Sequence, residues 1–187
     1  MNFVSHEKGV ALLEFSIILP ILSLFFFGAF EMSRGIYLNN LGVEFGQDVA
    51  TALFHECKDK DLSDTYHYTT KAATDCLQEE LPVLYQAFRK QQPRSAVIAT
   101  IYRAGSTGIE MFAGPIRACE SSTLDFSCDS IQSQFPLNRA QQEFSKTLAK
   151  TGWLVLVETY VKTDGSLERL LPIFNRETQT YYSATVF

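Results

Sequence analysis

The sequence predicts an α+β chain: a long N-terminal helix, apolar enough at its start to cross a membrane, then a small domain of helices packed on an antiparallel sheet of about four strands. Three observations predict it. From Val10 to Phe30 the only charged residue is Glu14. Beyond that run, apolar residues recur at three- and four-residue spacing in two further stretches, the mark of amphipathic helices. The last third of the chain carries short β-branched and aromatic runs separated by turn residues.

The 187 residues leave room for one membrane anchor and one modest domain. Val10–Phe30 meets the roughly 20 apolar residues a helix needs to span a bilayer core. Past it, Leu38, Leu41, Phe45, Val49 and Leu53 mark one face and predict that the helix continues to about Glu56. Gly35, Gly42 and Gly46 weaken that continuation, each costing about 1 kcal/mol against alanine. Cys57–Asp64 is polar and reads as a loop. Its Asp59, Asp61 and Asp64 lack the glycine hinge and distal glutamate of a calcium loop.

Ala73, Leu77, Leu81, Leu84 and Phe88 place a second helix over Tyr68–Arg89, which Pro82 is expected to kink or split. Ser95–Arg103 is a strand. Gly105–Pro136, rich in Gly, Ser and Asp, reads as a long loop. Leu137–Lys150 is a short helix and Trp153–Val161 the clearest strand. Asp164-Gly165 is a hairpin signal, Leu167–Phe174 the candidate return strand, and Thr178–Phe187 a last strand. The expected organisation is a leader over 1–9, a membrane helix over 10–31, its amphipathic continuation over 32–56, and an exported α+β domain over 57–187.

Charge and motifs exclude several functions. The net charge of −5 is spread without a basic run, so no nucleic-acid partner is expected. His6, His55 and His67 form no constellation, and His55, Cys57 and Cys76 lack zinc-ligand spacing, so no metal is expected. There is no serine-nucleophile elbow, P-loop or dinucleotide fingerprint. Neither an enzyme nor a cofactor is expected. Cys57, Cys76, Cys119 and Cys128 all lie beyond the apolar run, which fits disulfides made in an oxidising compartment. Of the three connectivities, sequential pairing (Cys57–Cys76 and Cys119–Cys128) closes the shortest loops.

The N-terminus carries the functional signal. A cleaved secretory signal has an apolar core of only about 7–15 residues and a small-x-small site after it; here the run is longer and no such site follows. A generic signal anchor has no use for Glu14, since an acid inside the hydrocarbon costs on the order of 2.5–3.5 kcal/mol on insertion scales. Cleavage after Gly9 accounts for both residues. Val10 then becomes the new terminus and Glu14 the fifth residue of the mature chain.

In this pattern the chain resembles the type IV pilin superfamily. That resemblance implies a prepilin peptidase as partner and a pairing of the glutamate with the free amine of a neighbouring subunit. Glu14-Phe15, Leu19-Pro20 and Phe27-Gly28 with Glu31 make the segment similar to the TadE/TadF family of tight-adherence (type IVb, Flp) pilus-assembly proteins. The longer, cysteine-bearing exported region is more similar to TadF than to TadE. The resemblance implies a minor pilin or pseudopilin in the bacterial inner membrane. It would pass once through the bilayer, with its N-terminus cytoplasmic and its domain periplasmic. Other pilins or pseudopilins, the inner-membrane assembly platform and membrane lipid would surround it. Pro20 would let the anchor bend. Two alternatives stay open: a pseudopilin of a type II-like secretion system, and a membrane-anchored periplasmic binding domain or enzyme.

Overall fold

The computed structural model describes residues 4–59, 70–105, 108–119, 131–163 and 179–187. The elements in order are α1 (Val4–Asp59), α2 (Thr70–Gln91), β1 (Ser95–Gly105), β2 (Gly108–Cys119), α3 (Leu137–Thr151), β3 (Trp153–Thr163) and β4 (Gln179–Val186). The chain forms two units: the first contains α1 up to Tyr37, and the second begins at Leu38 and contains the rest of α1 with every other element.

The four strands form one sheet, all neighbours antiparallel, in the order β2-β1-β3-β4. The fold is α+β with helices on a four-stranded antiparallel sheet, as the sequence predicts. On one face, Val97, Ala99 and Ile101 of β1 and Val155, Val157 and Val161 of β3 pack under α2 and the Leu38–Cys57 stretch of α1. On the other face, Tyr102, Leu154 and Leu156 pack against Phe135, Ala140 and Leu148 at α3. The central strands are thus covered on both sides. That is why β1 and β3 read as near-continuous apolar runs and not as clean alternation.

Several boundaries differ from the sequence reading. α1 starts at Val4, inside the expected leader, and runs to Asp59, so Cys57 is helical and not part of a loop. α2 is one helix through Pro82. Its buried Leu77, Leu81, Tyr85 and Phe88 stand on both sides of the proline, and packing of that face outweighs the local penalty.

The largest correction concerns Gly105–Pro136. Its first part is not loop but β2, paired with β1 from Ala96↔Cys119 to Gly105↔Gly108. Gly and Pro hid it. The register shifts near Ile101, and opposite that point Gly114 adopts φ 94° ahead of Pro115. An edge strand tolerates both residues because one side of its backbone lies outside the ladder. Asp164-Gly165 and Leu167–Phe174 lie outside the described residues. β3 takes as its partner β4, in continuous register from Leu156↔Val186 to Thr163↔Gln179.

α3 ends at Gly152, whose φ of 76° is left-handed and whose N–H bonds the Leu148 carbonyl at 2.8 Å. This is the glycine-terminated C-cap, and it delivers the chain directly into β3.

Candidate functional site

The residues singled out by the sequence lie on the first part of α1. Gly9 and Val10 fall within the helix, and Glu14 is exposed on it. From Phe15 to Met32 the large apolar side chains are exposed: Phe25 is 81 % and Met32 71 % exposed. In water such a surface would be costly, at about 25 cal/mol per Å² of apolar area. α1 carries a window long and apolar enough to cross a membrane, a property that a signal sequence shares. Pro20 lies inside the helix, which continues through it. Just beyond, Ser23 Oγ donates to the Leu19 carbonyl at 2.8 Å.

The second part of α1 is built differently. Gly42 and Gly46, helix-weakening by propensity, are where the backbone settles onto the sheet. Thr159 Oγ1 of β3 donates to the Gly42 carbonyl at 3.2 Å, and Thr185 Oγ1 of β4 to the Val43 carbonyl at 3.4 Å. Thr159 and Ser183 share a further hydroxyl–hydroxyl bond. A β-carbon at Gly46 would stand 2.7 Å from Thr185 Oγ1. The glycines exchange helix propensity for a close helix–sheet approach.

Cys57 at the end of α1 is joined to Cys76 of α2, with the Cα atoms 5.7 Å apart. This is one of the two expected sequential pairs. Cys119 is also disulfide-bonded, while Cys128 lies outside the described residues. The disulfide adds a covalent tie to the contacts of Phe45 with Phe88, whose rings stack 4.1 Å apart. His55 is exposed beside Phe54 and Phe187; His6 and His67 carry no described side chain. Among the described residues no three His, Cys, Asp or Glu side chains gather as a metal site would need.

Sequence reasoning missed Glu158. It sits in β3, fully buried at 0 % exposure. Its carboxylate accepts from Ser133 Oγ, from the Gln134 N–H at 2.8 Å and from the Tyr182 hydroxyl at 2.9 Å. Tyr160 gives its single proton mainly to the Gln132 carbonyl at 2.9 Å and stands 3.3 Å from Glu158. Tyr102 donates to the Phe135 carbonyl at 2.6 Å. Four successive residues, 132 to 135, are thereby strapped to the sheet by polar groups beneath them.

Burial, reinforced by the nearby Glu158 charge, pushes the Tyr102 hydroxyl up to about 12. The same two causes, with hydrogen bonds to Glu158, raise Tyr160 and Tyr182 as well. The carboxylate's acceptor capacity is spent on these donors. The arrangement positions a chain segment and offers no general base. A carboxylate within an otherwise apolar strand was the available signal, but one residue in a strand does not reveal which donors will meet it.

The architecture defines a class of protein: a long helix with an exposed apolar first part, whose second part packs on a disulfide-tied α+β domain. Residues 9–41 match the family described as TadE-like protein. The N-terminal segment is TadE-like over those residues. No curated protein and no solved structure matches the chain.

Proposed function

We propose that the chain is a minor pilin- or pseudopilin-like subunit, of TadF type, needed to build a tight-adherence pilus. In this reading a prepilin peptidase cuts between Gly9 and Val10. The observation that carries it is Gly9 followed by Glu14 at the head of an apolar helix, inside the segment that matches the TadE-like family. Glycine leaves the scissile peptide free of side-chain obstruction.

The cut creates an ammonium at Val10. That charge and the Glu14 carboxylate are each costly in lipid, and they offset one another when a neighbouring subunit brings them together. The exposed side chains from Phe15 to Met32 suit lipid before assembly and neighbouring helices after it. The disulfides support a domain on the oxidising, periplasmic side, which leaves the leader cytoplasmic. The partners in this reading are the peptidase, other pilins or pseudopilins and the inner-membrane assembly platform.

N-terminal sequencing of the membrane form should begin at Val10, and a chain beginning at Met1 overturns the processing step. Glu14→Gln should leave the cut intact and abolish incorporation or piliation. Normal piliation by that variant removes the proposed charge pairing.

A further inference from the structure

The two edges of the sheet are treated oppositely by the sequence. β2 carries the devices that protect an edge strand from pairing: Glu110 and Arg117, Pro115, and a register irregularity. Gln179–Phe187 carries no charged side chain, no proline and no glycine. β4 is the unguarded edge.

The hydrogen-bond parity of β4 follows from its end. Phe187 and Val155 exchange both backbone bonds, each 3.0 Å. The register continues without a shift to Gln179, so the odd-numbered residues of β4 bond inward to β3. The N–H and C=O groups of Thr180, Tyr182, Ala184 and Val186 therefore point away from the sheet, with no backbone partner among the described residues. Thr180, Ala184 and Val186 are exposed, so small or β-branched side chains flank this row. On the other face of β4, Ser183 and Thr185 are buried beneath α1.

We propose that β4 is an assembly edge that takes up an extended, uncharged segment of a different subunit by strand addition. Only an extended polypeptide supplies donors and acceptors at the matching two-residue repeat. β4 itself carries no charged side chain to compensate a charged occupant, so a neutral segment fits it. The source of that segment rests on the pilus-assembly reading above. β4 pairing with β4 of a second copy is antiparallel about a two-fold axis through the sheet. That axis reverses the Leu38–Cys57 stretch lying on the sheet face, whereas chains anchored in one membrane enter from one side.

The test uses the full chain in its native membrane, with the photo-cross-linking residue benzoylphenylalanine in place of Thr180 or of Ala184, and of the exposed Val83 as reference. Cross-links from 180 and 184 should fall on one segment of another subunit, four residues apart, and Val83 should give none of these. Ala184→Pro removes an outward N–H and spares the ladder. It should abolish the cross-link from position 180 without shifting the melting temperature appreciably, while Ser183→Pro disrupts the domain itself.

Absence of cross-links, links scattered over several segments, or links only to a second copy overturn the proposal. The cross-link pattern is read independently of the processing assay. A chain that starts at Val10 and supports piliation but shows no such pattern removes strand addition alone. A chain that starts at Met1 removes the processing reading alone.

Discussion

Gly42 of α1 rests against Ser183 of β4 so closely that a β-carbon on the glycine would stand 2.8 Å from the serine hydroxyl oxygen. Thr159 Oγ1 would be 2.9 Å from the same point, and it already bonds both Ser183 and the Gly42 carbonyl. Gly42→Ala should therefore gain about 1 kcal/mol of helix propensity and lose more to overpacking, about 1–3 kcal/mol. The expected net effect is a lower denaturant midpoint. Gly28→Ala, with nothing within 4 Å of the added carbon, should leave the midpoint unchanged or raise it.

Replacing the buried Glu158 with Gln puts an N–H₂ group among donors and removes an acceptor. One or more of Ser133 Oγ, the Gln134 N–H and the Tyr182 hydroxyl is left unsatisfied, at about 1–3 kcal/mol for a buried polar group. Amide exchange at Gln134 should rise in this variant while amides at the α1–α2 contact keep their protection. Equal loosening throughout the domain would remove the specific role of the strap.

Alkaline pH should act through the same cluster. Tyr102 titrates near 10.0 when unfolded and at about 12 when folded, so above pH 10 the unfolded chain releases its proton first. A group raised in this way stabilises fully below its unfolded value and loses that contribution as pH rises through the folded value. Melting temperature should fall between roughly pH 10 and pH 12, with Tyr160 and Tyr182 extending the loss upward. Absorbance near 295 nm should show these tyrosines still protonated near pH 10 while the domain stays folded. Their ionisation near pH 10 with the fold intact contradicts the assignment.

The Cys57–Cys76 bond closes a loop with a sequence separation of 19. Loop-closure entropy puts its contribution at about 3 kcal/mol. The double variant Cys57→Ser, Cys76→Ser should lose about that much in chemical denaturation. Chains prepared without reductant should migrate faster on non-reducing gels than reduced ones. Thiols that are all free in membrane preparations would place the domain in a reducing compartment.

Pro20 gives a prediction for assembly. If the anchor must bend while packing, Pro20→Ala should leave membrane insertion intact and reduce piliation. Normal piliation with Ala at position 20 would count against any need for the bend.

Much of the second unit was legible because periodicity reports burial. Leu38, Val49 and Leu53 repeat on one helical face, and they are buried where that face meets the sheet. β2 was illegible because Gly114 and Pro115, which signal a loop locally, are accommodated at a sheet edge. The pairing of β3 with β4 was equally hidden. Strand partners are chosen by non-local hydrogen bonding, and no short window of sequence contains both members of a pair.

By itself the sequence determined the α+β class, the apolar first part of the long helix and the Gly9–Glu14 pattern at its head. These are properties of composition and spacing along one chain, so they need no partner in space to be read. Only the tertiary structure decided why Gly42 and Gly46 interrupt a helix, what holds Glu158, and which sheet edge is left unguarded. Each of those depends on residues far apart in the chain meeting at a few ångströms, and local patterns carry no record of that distance.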